Sequence, residues 1–275
     1  MRYTVKISYS GADFRGWQKQ PSDPSVQENL EAALAKLLGG ETPVIGAGRT
    51  DTGVNAIGYV ACFDGPESLV ADDFCYKLNA ILPRSIVVSE LAPAAPDFHP
   101  RFDAVKREYT YFIHRGKDPF VEAWSWQCGY PALDFEAMNR AAEYLVGTHD
   151  FSSFEKKGGD NKTSVCTVTE ARWVPYVPTY LQVMGNAAQR ASAGGCGGAS
   201  AGHWYFRISA DRFLRNMVRA IVGTLIDVGR DKRSIDDFAG LILPPDEKSP
   251  KKTLRRSLAG ESVPGHALFL SAVEY

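Results

Sequence analysis

Period-two alternation of apolar side chains opens this chain and limits what it can become. Tyr3, Val5, Ile7 and Tyr9 fall on one face of residues 2–9, the pattern of a half-buried strand. The same period returns at Ala104–His114. There Val105, Arg107, Tyr109, Tyr111 and Ile113 share one face, and Lys106, Glu108, Thr110 and Phe112 the other. Further strands are predicted at about 43–46, 57–63, 86–91, 164–176, 179–184, 203–209 and 267–275. Helical stripes are fewer. Ser25-Val26-Gln27-Glu28 is a capping box ahead of Val26, Leu30, Ala33, Leu34, Leu37 and Leu38, and Gly39-Gly40 closes that stripe. A second helix is predicted from Ala71 to about Ala80. A third is capped by Asp134 and closed by Gly147, a fourth runs over Arg212–Val228, and Ser234 starts a short fifth. Runs of paired strands between few helices argue an α+β fold with mostly antiparallel sheets, not a doubly wound parallel one.

The chain's 275 residues allow one large domain or two of ordinary size. The Pro/Ala-rich stretch Ala92–Pro96 reads as a connector. It places a boundary near 95–103 and divides the chain into halves at 1–100 and 101–275. Gly185–Gly202, rich in Gly, Ala and Ser, reads as a flexible hairpin insertion that the fold can spare. No apolar run approaches the roughly 20 residues of a membrane span, and the N-terminus has the alternation of a strand instead of a signal-peptide core. The five cysteines (62, 75, 128, 166, 196) form no Cys-x-x-Cys pair, and the five histidines are scattered. These features lead us to expect a cytoplasmic protein without a structural metal or disulfide framework.

One loop concentrates chemistry. Gly46-Ala47-Gly48-Arg49-Thr50-Asp51-Thr52-Gly53 places three glycines, an arginine and an aspartate within eight residues, between two apolar segments. Glycines allow positive φ and close approach of a ligand to the backbone. Asp51 follows Arg49 by two residues, and a neighbouring guanidinium favours the ionised carboxylate. Alone, Thr-Asp-Thr-Gly is ordinary turn composition. Arg212, Arg215 and Arg219 are spaced to fall on one face of the fourth predicted helix, whose other positions are largely apolar. Such a stripe calls for anionic partners, either a carboxylate such as Asp51 or phosphates. Net charge is −1, so the distribution of charge matters more than its sum. Basic groups stand at Lys106-Arg107, at Lys156, Lys157 and Lys162, and at Lys248–Arg256, which holds five basic residues in nine. Each alone reads as a solvated loop. Tyr109 reads either as a core aromatic or as a ring projecting beside Arg107 toward a site.

Several separated stretches resemble the tRNA pseudouridine synthase A family. They are Tyr9-Ser10-Gly11 with Phe14 and Gly16-Trp17-Gln18, then Val26-Gln27-Glu28, and the string Gly48-Arg49-Thr50-Asp51. Phe98-His99-Pro100-Arg101-Phe102 and Arg107-Glu108-Tyr109-Thr110-Tyr111 follow. Phe151-Ser152-Ser153-Phe154 and Arg215-Asn216-Met217-Val218-Arg219 with Ile221-Val222-Gly223 complete the set. The resemblance implies two ferredoxin-like (RRM-like) halves flanking a central basic catalytic cleft. It implies a homodimer that uses no cofactor and isomerises uridine to pseudouridine in the anticodon stem-loop of tRNA, at positions 38, 39 and 40. By the same resemblance Asp51 is the catalytic aspartate, Arg49 and Arg219 favour its ionised form, Tyr109 stacks on the flipped-out target base, and Leu268 lines the pocket. Arg107 and the other basic groups would hold phosphates. Ser10, Asn55 and Cys166 depart from the family pattern, where aspartate, histidine and arginine are usual.

Two other readings use the same residues. Asp51-Thr52-Gly53 spells the triplet of aspartic peptidases, but that chemistry needs two carboxylates, and only a dimer could supply the second. A non-catalytic RNA-binding module would show similar sheet aromatics and basic groups. It has no need of a carboxylate facing an RNA backbone.

Overall fold

The alternating N-terminal segment forms strand β1 (Arg2–Tyr9), with Tyr3, Val5, Ile7 and Tyr9 buried. Helix α1 (Val26–Leu38) starts where Ser25 Oγ accepts the Glu28 N–H at 3.2 Å, and it ends at Gly39 in the left-handed conformation, φ 78°. Its buried stripe is Val26, Leu30, Ala33 and Leu34. A two-residue strand, β2 (Ile45–Gly46), and the long β3 (Asn55–Asp64) flank the glycine-rich loop. Helix α2 (Ala71–Ile81) buries Phe74 and Leu78, and β4 (Ile86–Pro93) follows. β1 is the middle strand, antiparallel to both β3 and β4, while β2 pairs with β3. Burying each of the larger apolar side chains contributes about 1.5–3 kcal/mol.

In the computed structural model these elements belong to the first of two units, Met1–Arg107 with Phe269–Tyr275; the second is Glu108–Leu268. The structure describes residues 1–156, 158, 162–194, 202–242, 244 and 258–275. The second unit carries β5 (Lys106–His114) from Glu108 onward, β6 (Trp126–Gln127), α3 (Phe135–Glu143), β7 (Gly147–Asp150) and β8 (Val165–Pro175). Then come α4 (Thr179–Met184), α5 (Ala187–Gly194), β9 (His203–Ala210), α6 (Met217–Gly229) and α7 (Ile235–Ala239). Its strands run in the order β5-β9-β8-β7, with the short β6 parallel to β5. Asp134 caps α3 by accepting the Ala137 N–H at 2.8 Å, and Ser234 caps α7 in the same way through Asp237 N. The last strand, β10 (Leu268–Glu274), returns to the first unit, where Phe269 and Leu270 pair in parallel with Asn55 and Ala56 of β3.

Four expectations are corrected. Residues 179–184 form helix α4, not a strand. Tyr180 reaches from it to the Asp118 carboxylate and packs its ring 5.0 Å from Phe120, a tertiary anchor that short-range propensity does not register. The insertion begins with a helix, α5, in place of a hairpin; residues 195–201 lie outside the described set, as does the basic segment 248–256. The arginine stripe dissolves, because α6 starts only at Met217. Asn216 sits at φ 62°, and the Arg215 carbonyl accepts the Lys156 N–H at 3.0 Å, so Arg212 and Arg215 precede the helix and do not share its face with Arg219. Gly147 also does not close α3, which ends at Glu143; it opens β7 at φ 118°.

Candidate active site

In the first unit two loops, residues 10–18 and 46–55, are laced together by hydrogen bonds, two of them between backbone groups. Gly11 N donates to Asn55 Oδ1 at 2.9 Å, Trp17 N to the Thr50 carbonyl at 3.3 Å and Gly53 N to the Phe14 carbonyl at 3.3 Å. Glycine permits this approach. A Cβ on Gly11 would lie 2.3 Å from the Val54 carbonyl oxygen, and one on Gly16, at φ 104°, 2.3 Å from that of Thr50. Beneath the loops Trp17 packs on Tyr59 at 4.2 Å between ring centroids, and Tyr9 on both at 5.9–6.4 Å. Each such pair contributes about 0.5–1.5 kcal/mol beyond area burial.

The polar ends of these rings reach the glycine-rich loop. Tyr9 OH and Thr50 Oγ1 are 2.9 Å apart. Tyr59 OH donates to the Gly48 carbonyl at 2.5 Å and is the acceptor for Gly48 N at 3.2 Å. Val54 N donates to the Asp51 carbonyl at 3.1 Å, and Gly53, at φ 76°, closes the turn. The backbone is therefore fixed on both sides of Asp51, whose side chain is only part-buried, while Arg49 is exposed. A part-buried carboxylate on a held loop can act as a nucleophile or as a base. Residues 10–18 form a packed corner, with Phe14 and Trp17 5% and 4% exposed. Tyr9 and Tyr59 support the loop through their hydroxyls; strand alternation marked Tyr9 as inward-facing but carried no sign of these contacts.

The other expected residues are placed one by one. Arg107 donates to the carbonyls of Ala104 at 2.9 Å and Arg101 at 2.5 Å. Its neighbour Lys106 pairs with Glu274 at 2.9 Å. In the second unit Tyr109 is part-buried, with Phe213 edge-on at 5.0 Å and 88°. Arg219 is held by its Nε, which donates to the Val263 carbonyl at 2.7 Å. The 260–263 segment packs so closely on α6 that a Cβ on Gly223 would overlap the Glu261 carbonyl. Leu268 is buried, 5% exposed. Among the residues that depart from the family pattern, Asn55 carries the Gly11 hydrogen bond and Ser10 is exposed. Cys166 is buried, and that burial pushes its thiol up to about 12. Among the described residues no helix is long and apolar enough to cross a membrane.

Comparison with known proteins identifies the family. The family described as tRNA pseudouridine synthase matches residues 7–103 and 141–275, which include the Asp51 loop, Arg219 and Leu268. The chain belongs to the tRNA pseudouridine synthase family. The full-length relatives it resembles carry the designation tRNA pseudouridine synthase A. That of Porphyromonas gingivalis is 43% identical, covering 100% of this chain and 97% of its own. Those of Bacteroides fragilis and Bacillus subtilis are 43% and 38% identical over 100% of this chain, covering 96% and 99% of theirs.

Proposed function

We propose that this chain isomerises uridine to pseudouridine in the anticodon stem-loop of tRNA, at positions 38, 39 or 40, with the Asp51 carboxylate as nucleophile or base. The observation that carries the reading is the Asp51 loop itself. It holds a part-buried carboxylate on a backbone pinned by Tyr9, Trp17 and Tyr59, in a member of this family. A loop that served only to bind RNA would have no use for a fixed negative charge.

The reaction rearranges one bond. The C1′–N1 glycosidic bond breaks and a C1′–C5 bond forms. The proton on C5 leaves to water, and N1 gains one. Three entry points are open to a carboxylate: attack at C1′, attack at C6, or removal of the 2′ proton. Each uses the carboxylate form of Asp51, and the family resemblance assigns Arg49 and Arg219 as its cationic partners. A uridine in a stem cannot be reached until it is unstacked, and Tyr109 is assigned the base it stacks on, with Leu268 as apolar lining. Arg107 and the basic groups contribute to backbone binding, so affinity should fall steeply with salt. The strand order β4-β1-β3-β2 of the first unit is the order of a ferredoxin-like half, which supports that finer reading of the fold. The resemblance further implies a homodimer without a cofactor, and the sequence composition suits a cytoplasmic location.

The test is tritium release from unmodified tRNA labelled at uridine C5, since the product has the mass of the substrate. Wild type should release tritium and Asp51→Asn should not, while tRNA binding stays near normal. Release by Asp51→Asn at the wild-type rate would remove the aspartate from the mechanism.

A further inference from the structure

The segment Phe98–Asp103 of the first unit is a motif that the catalytic reading leaves without a task. It is tightly pinned. His99 N donates to Asp103 Oδ2 at 2.9 Å, and Phe102 N and Asp103 N donate to the His99 carbonyl at 3.1 and 3.0 Å. His99 Nδ1 is 3.2 Å from the Arg101 N–H that it accepts. Arg107 clamps the Arg101 and Ala104 carbonyls from one side, and Tyr275 OH donates to the Pro100 carbonyl at 3.0 Å from another. Phe98 turns inward and packs 5.2 Å from the Tyr275 ring. Phe102 turns outward and is 72% exposed.

An isolated exposed apolar side chain is common and needs no explanation. Phe102 differs in its setting. The His99 ring lies 4.2 Å from it, tilted by 35°, and the Arg101 guanidinium sits 5.6 Å from its centroid. The ring is thus fixed in direction, backed by a second aromatic and flanked by a cation, on a backbone with little freedom left to lose. An aromatic face beside an arginine matches an unpaired nucleobase and its phosphate. A protein partner's apolar surface would have to desolvate the guanidinium.

We propose that Phe102, with His99 and Arg101, is a stacking platform for an unpaired base of the tRNA substrate other than the reacting uridine. The inference rests on tRNA being the substrate. Wild-type tritium release tests that separately from the variants that test the platform.

The experiment uses the full chain and an unmodified tRNA transcript, with filter-binding Kd and tritium-release kinetics. Phe102→Leu keeps apolar volume but loses the π face. It should raise Kd and KM about 5- to 100-fold, with the same salt slope and unchanged mass in light scattering. Phe102→Trp should bind within about threefold of wild type, because every base has a face to stack on the larger ring. Arg101→Ala should lower the salt slope by about one. Wild-type Kd for Phe102→Leu would overturn the platform. So would a change in its oligomeric mass, which would make the ring a contact between copies of this chain. Should Phe102→Leu fail to fold, the Trp variant decides. Quenching by tRNA beyond that of the wild-type tryptophans supports the proposal, and no added quenching overturns it.

Discussion

Gly16→Ala tests whether the Asp51 loop is held in place from the neighbouring corner. A Cβ there would lie 2.3 Å from the Thr50 carbonyl oxygen, where ordinary contact begins at about 3.4 Å, so one backbone must retreat by about 1 Å. The residue also sits at φ 104°, a conformation that costs a residue with a side chain about 1–3 kcal/mol. Together these effects should destabilise the protein by about 3 kcal/mol, or roughly 6–12 °C in Tm. The atom that must move is one residue before Asp51, and a misplacement of about 1 Å can cost about 100-fold in turnover. The assay pairs a thermal melt with tritium release below the melting transition. Gly48→Ala is the control within the same motif, since a Cβ there meets nothing within 4 Å. Its Tm should stay within what about 0.5 kcal/mol produces. Wild-type Tm and turnover for Gly16→Ala would refute the claim that this corner positions the loop.

Two further outcomes follow from the buried titratable groups. His114 is fully buried, with its Nδ1 3.0 Å from Ser125 Oγ and its ring 6.2 Å from that of His203; burial holds it below the usual histidine range. Its folded pKa lies below the unfolded value, so its contribution to stability is complete above about pH 6.5 and is lost as pH falls below that. The loss should be at most about 1.4 kcal/mol per pH unit, seen as a falling Tm between pH 7 and 5 that His114→Gln flattens. A wild-type profile that rises over that range would contradict the assignment. For the cysteines, burial pushes Cys128 up to about 11 and Cys166 up to about 12, and raises Cys62 as well. Burial raises Cys75 too, but it is part-exposed, so native labelling with a disulfide reagent at pH 8, read by peptide mass spectrometry, should modify it ahead of the buried Cys62, Cys128 and Cys166.

Much of this protein is written in local sequence. The Ser25–Glu28 box starts α1 because a hydroxyl meets an N–H three residues on, and Gly39 ends it because only glycine takes φ 78° without strain. The strand at 2–9 follows from alternation alone, and the Gly46–Gly53 string marks its loop through glycine, arginine and aspartate together. Where the sequence misled, the deciding force was distant. Residues 212–216 have helical spacing, yet the Lys156 bond to Arg215 and the left-handed Asn216 hold them out of α6. Thr179–Met184 has the β-branched and aromatic look of a strand, yet it coils into a helix held by the Asp118 carboxylate, more than sixty residues away.

The α+β class and the place of Asp51 on a glycine-rich loop are both legible in local sequence, because those features depend on neighbours a few residues apart. What holds that loop comes from contacts far apart in the chain. Tyr9, Trp17 and Tyr59 come from three separate segments, and their hydroxyl and amide contacts exist only once the strands have paired. The same is true of β10, whose place beside Asn55 is fixed by a ladder closed across more than two hundred residues, a distance over which no sequence period carries information.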